Sequence, residues 1–263
     1  MAPAPQRRLR GLAEIVALPV LIGLILTSCG SSVINHMAGA GTAPSLGGRV
    51  PADAVVVQVG VTPITGATYD HWMAIGAATV EMPKPSGLVP KPVAYQPPDF
   101  TACVAHLHTS APKSTTTAQL EARCKKTYAG IQARILNFLI TGHWLRSEAA
   151  EQHASLSEAE VRKKFEEEKR AHYPTTASFR RLQQASRQTV PDLMFAVETQ
   201  MLSTKLLEKF TKAHGHGKPE QVVIAAFNRS IRSRWIARTD CQPGYVVPDC
   251  KQYKPPATPK AGK

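Results

Sequence analysis

Residues 117–152, with the sequence TAQLEARCKKTYAGIQARILNFLITGHWLRSEAAEQ, decide the fold. Apolar side chains recur along this stretch mostly at steps of three, four or seven, at Leu120, Cys124, Ile131, Ile135, Phe138, Leu139 and Leu145. This spacing predicts one long amphipathic helix with a continuous apolar stripe. We expect the stripe to face the core and do not interpret it as a ligand site.

Four shorter helices are predicted after the long one. Ser157 and Glu160 form a capping box, in which the hydroxyl accepts from the N3 amide and the carboxylate reaches back. A short helix is expected over residues 176–185, and Thr189 is expected to cap the next one. A last helix is expected over residues 219–237, after a glycine-containing turn.

The region before the long helix is predicted to hold a strand and one helix. Residues 54–59 are rich in valine and end at Gly60, which is typical of a short strand. Thr65 is expected to cap a helix that carries Tyr69, Trp72, Met73, Ile75 and Val80. Residues 83–98 contain six prolines, so they cannot form a helix interior, and we interpret them as a surface insertion in preference to an interaction motif. The fold class is therefore predicted as mainly α with one or two short β-strands.

The N-terminus resembles the signal of a bacterial lipoprotein. A basic segment over residues 7–10 precedes an apolar run over residues 15–26, which is short for a transmembrane helix and has the length of a signal-peptide core. The run ends in Leu26-Thr27-Ser28-Cys29, which resembles a lipobox. The resemblance implies cleavage before Cys29, lipidation of that cysteine, and a location on the extracytoplasmic face of the bacterial cell membrane. The alternative is an uncleaved anchor with a buried cysteine.

The charge of the chain points to an anionic partner. The sequence has 32 Lys and Arg against 19 Asp and Glu, a formal charge of +13, and a hydrophobic fraction of 43%. These values argue against a wholly disordered chain and against a polytopic membrane protein. Loss of residues 1–28 would leave +11 on the exported part. We therefore expect no nucleic acid partner, and favour unfolded exported polypeptides, anionic lipid or a cell-wall polymer.

Four cysteines follow the lipobox, and an even number in an exported chain favours two disulfides. They are Cys103, Cys124, Cys241 and Cys250. Three pairings are possible. We favour the local pairs Cys103–Cys124 and Cys241–Cys250, because each would close a short loop and stabilise the fold by about 3 kcal/mol.

Metal binding by these cysteines and the nearby histidines is a weaker interpretation. His106 and His108 lie close to Cys103, and His214 and His216 flank a glycine, but the sequence has no CxxC pair of the kind that zinc sites usually show. Nothing else in the sequence indicates a bound group or a reactive thiol. We therefore predict no metal, no cofactor and no catalytic thiol.

Several short phrases, taken in order, resemble the SurA-like N-terminal chaperone domain of bacterial foldase lipoproteins of the SurA/PrsA type. They lie at residues 55–72, 135–150, 157–161, 179–182 and 189–193. The resemblance implies a helical holdase that shields unfolded exported chains. Many relatives carry a parvulin prolyl-isomerase domain before the last helix, whereas here residues 213–219 hold only a short turn. The resemblance therefore predicts a chaperone domain without the isomerase.

These features predict the organisation of the chain. In chain order it has a signal peptide over 1–28, a flexible tether over 29–53, the SurA-like domain over 54–237 with its insertion at 83–98, a disulfide-closed segment over 238–253, and a disordered tail over 254–263. We expect the first strand to pair with residues 245–247, because an isolated strand is not stable.

Client binding is expected to use apolar side chains that adapt to many sequences. Flexible methionines and large aromatic residues suit such surfaces, and the candidates are Trp72, Met73, Phe179, Met194 and Met201. A core position is the alternative for each. The sequence has no recognisable catalytic constellation, so we predict binding without catalysis. The alternative functions are a foldase related to peptidyl-prolyl isomerases and a cationic structural lipoprotein that binds the cell envelope.

Overall fold

The computed structural model describes residues 50–80 and 100–255. Within these ranges the protein is mainly helical with one small antiparallel sheet, as predicted. Its elements in chain order are β1 (Val55–Val59), β2 (Thr62–Thr65), α1 (Gly66–Val80), α2 (Thr101–His108), α3 (Thr117–Glu151), α4 (Glu158–His172), α5 (Thr176–Ser186), α6 (Val190–His214), α7 (Glu220–Trp235), a 3₁₀ turn (Ile236–Arg238) and β3 (Thr239–Cys241).

Several predictions fall outside the described residues. They concern the signal peptide, the lipidation of Cys29, the tether up to residue 49, the insertion at 83–98 and the tail after residue 255. The described chain begins with a turn, in which the amide of Ala54 donates to the carbonyl of Pro51 at 3.1 Å. The predicted tether, which extends to residue 53, therefore overlaps this ordered turn.

The long helix α3 is the centre of the fold. Thr116 caps it through a capping box with Gln119, and its predicted apolar stripe is buried along almost the whole length. The helices α1, α2, α6 and α7 all pack against it. Gly142 allows the closest approach, because a Cβ atom there would lie 2.5 Å from Cζ of Phe195 on α6.

Two of the predicted helix starts after α3 are confirmed by their caps. The amide of Glu160 donates to Oγ of Ser157 at 3.3 Å, and that of Asp192 donates to Oγ1 of Thr189 at 3.4 Å. Thr65 likewise accepts from the amide of Thr68 at the start of α1. Because each cap is a local sequence signal, these boundaries could be found without tertiary information.

The sheet has the strand order β2-β1-β3, and both pairings are antiparallel. The predicted partner of β1, residues 245–247, was therefore wrong: Val57 lies opposite Cys241 in β3. The physical reason is that α7 ends beside β1, so that the chain pairs with β1 as soon as it leaves the 3₁₀ turn. Gly60, at the far end of β1, donates to the carbonyl of Arg238 at 2.8 Å. The side chain of Tyr245 is instead buried in the core.

Both local disulfides favoured from the sequence are present. Cys103–Cys124 joins α2 to α3, and Cys241–Cys250 closes the segment that follows β3. The helix α2 itself was not predicted, because its eight residues offer little apolar periodicity. The disulfide and the packing of Phe100 against Tyr128, with ring centroids 5.8 Å apart, hold it on α3.

A buried polar network fastens the C-terminal segment to α1 and α3. The hydroxyls of Tyr69 and Tyr128 lie 2.9 Å apart. The amide nitrogen of Gln132 donates to Tyr69 at 3.0 Å and to the carbonyl of Gly244 at 3.1 Å. Burial raises the pKa of Tyr69 far above its ordinary value, so the phenol stays neutral and serves as a hydrogen-bonding group.

The carboxylate of Glu148 ties α3 to α7. The residue has no exposed surface, and its oxygens accept from Trp235 Nε1 at 2.7 Å, from Gln152 Nε2 at 2.5 Å and from the guanidinium of Arg234. A buried carboxylate is tolerated only when such donors satisfy it, because desolvation of the charge is costly. The end of α7 is therefore held in one position on α3.

Replacement of this carboxylate should destabilise the whole fold. We expect Glu148→Ala to lower the free energy of unfolding by about 3 kcal/mol, because it leaves the indole of Trp235 without an acceptor and removes buried charge-assisted bonds. Urea unfolding followed by circular dichroism measures the effect.

The matched control is Glu151→Ala, one turn away on the same helix. Glu151 pairs with Arg238 at 2.6 Å, but both side chains are about half exposed. Its loss should cost less than about 1 kcal/mol. Equal effects of the two substitutions would contradict the role assigned to Glu148.

Candidate functional site

A half-open groove lies where the N-terminal turns of α4 and α6 meet the C-terminal half of α3. Its volume is about 400 Å³. Its lining is apolar at the floor and charged at the rim, and consists of Leu156, Val161, Pro191, Met194, Phe195, Arg146, Glu158, Arg162 and Glu198. We call this feature the α4–α6 groove.

Two capping boxes start the helices whose first turns contribute Glu158 and Pro191 to the α4–α6 groove. The box at Ser157 starts α4 directly after Leu156, and the box at Thr189 starts α6 with Pro191 in its first turn. Hydrogen bonds from Ser157 lower the pKa of Glu160, and the carboxylate of Asp192 occupies the equivalent position on α6. Both helix N-termini are thus already satisfied by carboxylates of the chain itself.

The floor of the groove rests on an aromatic cluster around Phe195. The ring of Phe195 lies 5.4 Å from that of Phe138, 5.9 Å from that of Trp72 and 5.8 Å from that of His143. Phe195 itself is only half-buried. It therefore presents an apolar surface on a rigid support.

Ion pairs form the rim. Nε of Arg146 donates to Glu198 at 3.0 Å, and its guanidinium lies 4.6 Å from the centroid of the Phe195 ring. On the opposite side, Arg162 donates to Glu158 at 2.6 Å. Such partly exposed pairs each stabilise by about 1 kcal/mol or less, so their side chains can rearrange around a bound group.

The structure places the five predicted client contacts in different environments. Trp72 and Phe179 are core residues with 4% and 7% of their surface exposed, so they cannot contact a client in this conformation. Met73 and Met201 are half-buried against the core, outside the groove lining. Met194 alone of the five lines the α4–α6 groove.

The sequence interpretation missed Phe195 and Leu156. Phe195 lies off the apolar stripe of α6, whose fully buried members are Leu193, Val197, Leu202 and Leu206. A large aromatic residue next to the stripe is a signal that could have indicated an exposed apolar contact. Leu156 gives no such signal, because it lies between helices.

The histidines and helices of the described residues bear on the predictions about metal ions and membrane spans. They contain no group of three or more His, Cys, Asp or Glu side chains that could hold a metal ion. His106 and His108 are exposed, and His214 stacks on Phe210 with ring centroids 4.6 Å apart. In the same ranges, no helix is long and apolar enough to cross a membrane.

Comparison of the chain with protein-family models, with curated proteins and with solved structures finds no match. The resemblance to the SurA-like chaperone domain therefore stays a prediction from the sequence. The groove and its lining are the observations on which a functional proposal can rest.

His143, behind the groove floor, makes the stability of this region sensitive to pH. Burial and, to a lesser extent, the charge of Arg146 lower the pKa of His143 to about 4, and Glu198 opposes the shift. The unfolded chain, with a histidine pKa of about 6.5, binds the proton more readily than the native state. The free energy of unfolding should therefore fall as the pH is lowered from about 6.5 towards 4.

Substitution of His143 should remove this dependence. We expect the wild type to lose about 2 kcal/mol more than His143→Gln when the pH falls from about 7 to about 4.5. Denaturant unfolding at both pH values measures the difference. His172→Gln, at an exposed histidine on α4, should behave as the wild type. An identical acid loss in His143→Gln and the wild type would contradict the assignment.

Proposed function

We propose that this protein is a lipid-anchored extracytoplasmic chaperone that binds apolar segments of unfolded exported polypeptides without catalysis. The observation that carries the proposal is the α4–α6 groove, in which Met194 and Phe195 form a half-exposed apolar floor between two ion pairs. Lipidation of Cys29 and the tether after it supply the anchor in this proposal and rest on the sequence alone.

The size of the groove suits a short apolar segment. A volume of about 400 Å³ accommodates a few side chains and excludes a folded domain. Burial of about 150 Å² of apolar client surface would contribute roughly 4 kcal/mol before the cost of ordering the client. Binding should therefore be weak and reversible, which lets a client leave and fold.

The side chains of the groove favour many sequences over one. Met194 is unbranched and polarisable, so it adapts to differently shaped partners. Arg146 stacks on Phe195 and can cover or uncover that ring as its pair with Glu198 opens. The four charged side chains of the lining are paired with each other, which leaves Met194 and Phe195 as the contacts for a client and supports a promiscuous site.

The alternative of an isomerase-related foldase has less support. The helix α6 ends at His214 and α7 begins at Glu220, so a five-residue turn stands where many SurA-like relatives carry the isomerase domain. A peptide isomerisation assay decides this point. Turnover that an active-site inhibitor abolishes would overturn the proposal of binding without catalysis.

The proposal is tested by suppression of aggregation. Residues 30–263 contain every described contact and can be produced without the signal segment. Excess protein should suppress the light scattering of a denatured apolar client as it is diluted from denaturant. Absence of any effect at excess protein would contradict the chaperone function. Salt-sensitive binding to an anionic cell-wall polymer without suppression would support the structural alternative.

Separate substitutions of two methionines on α6 test whether the α4–α6 groove is the binding site. We expect Met194→Ser to raise the protein concentration needed for half-suppression about fivefold to tenfold, because it removes apolar contact from the groove floor. The control is Met201→Ser, which alters a half-buried methionine of the same helix outside the groove. It should stay within about twofold of the wild type. An equal loss in both variants would exclude the α4–α6 groove as the binding site.

A further inference from the structure

The helix α5 and the segments that flank it carry positive charge without any acid. Residues 169–191 contain no Asp or Glu. The same stretch contains the cations Lys169, Arg170, Arg180, Arg181 and Arg187. This local excess of positive charge is not explained by the α4–α6 groove, whose rim charges are paired.

The face of α5 that points away from the core gathers three of these arginines. The helix buries Phe179 and Leu182 on one side. The opposite side is exposed throughout and consists of Ala177, Arg180, Arg181, Gln184 and Arg187. Ala177, Arg180, Arg181 and Gln184 recur at helical spacing along α5, and Arg187 follows at the C-cap directly after the last helical residue. We call these five residues the arginine stripe.

The three arginines of the stripe are free to bind a partner. Among the residues that the structure describes, no carboxylate lies within ion-pair distance of Arg180, Arg181 or Arg187. Arg187 also adopts the left-handed conformation, with φ of 59°, at the C-cap of α5. Glycine or asparagine fills such a position with less strain, so the arginine is not required by the turn.

The arginine stripe lies on a helix that packs close to the first residues that the structure describes. A Cβ atom on Gly66, the first residue of α1, would lie 2.9 Å from the side chain of Val50. One and a half turns further along α1, His71 Nε2 lies 2.9 Å from Asp192 in the first turn of α6, directly after α5. The helix α5 itself packs on α1. The first described residues, which begin at Val50, therefore lie close to the α5–α6 junction.

We propose that the arginine stripe docks on the anionic headgroups of the membrane that carries the anchor. The inference rests on the lipoprotein part of the proposed function. Residues 30–49 lie between Cys29 and Val50, and a chain of this length reaches at most about 70 Å when fully extended. The bilayer is thus always within reach of the stripe. This constant proximity favours headgroups over an acidic client, which would arrive by diffusion.

Vesicle binding tests the inference without the lipid anchor. Residues 30–263 are mixed with vesicles of phosphatidylglycerol and phosphatidylcholine in equal parts, and with vesicles of phosphatidylcholine alone. Each arginine near an anionic surface strengthens binding about fivefold, so the triple variant R180Q/R181Q/R187Q should lose at least about tenfold in affinity for the anionic vesicles. Binding to phosphatidylcholine alone should be weak for every variant.

The control variant carries the same change of charge at other exposed positions. It is K113Q/R123Q/K126Q, whose three cations have no ion-pair partner among the described residues. It should lose about threefold or less. Equal losses in the two triple variants, or anionic vesicle binding that survives in R180Q/R181Q/R187Q, would overturn the inference. Thermal unfolding of both variants checks that the fold is kept.

A second measurement separates this inference from the chaperone proposal. Suppression of aggregation without vesicles should be unchanged in R180Q/R181Q/R187Q, because the stripe lies outside the groove lining. Loss of suppression for an acidic client, with vesicle binding intact, would make the stripe a client surface and overturn the inference. Stripe-dependent vesicle binding by a protein that suppresses no aggregation would support the inference and contradict the chaperone function.

Discussion

The buried carboxylate of Glu148 fixes the C-terminal end of α7 on α3. It accepts from Trp235 at the end of α7, and the same tryptophan offers its carbonyl to the hydroxyl of Thr239. Trp144, one turn before Glu148, donates to that hydroxyl at 2.8 Å. These bonds fix the direction in which the chain continues after α7, and this direction places β3 next to β1. The position of the third strand thus follows from the contact of two helices.

The local features of the fold could be predicted from the sequence, and those that depend on distant contacts could not. The caps at Ser157 and Thr189 are signals a few residues long, and the favoured disulfides close short loops. The pairing of β1 with β3 depends on where α7 ends, which no local pattern records. In the same way, Phe179 was predicted as a client contact, because no local pattern shows that Phe165 of α4 packs against it.

The α4–α6 groove exists because two helices begin at the same place on α3. Each capping box satisfies the polar backbone groups at its own helix start. Met194, Phe195 and Leu156 line the space between the two helix starts. Gly142 completes the arrangement, since a larger residue would push Phe195 and α6 outwards. A shallow apolar site on a firmly packed base combines weak affinity with a constant shape, which suits repeated contact with unfolded chains.

The sheet also imposes an order on folding. Val57 in β1 faces Cys241 in β3, although almost the entire described chain separates them. Closure of so large a loop is slow, and contacts of this kind are a hallmark of high contact order. During synthesis from the N-terminus, β1 and β2 can form a hairpin early, while the other edge of β1 is paired only after α7 has been made. The Cys241–Cys250 disulfide then closes the segment that completes the sheet, so residues late in the described chain fix the position of its first strand.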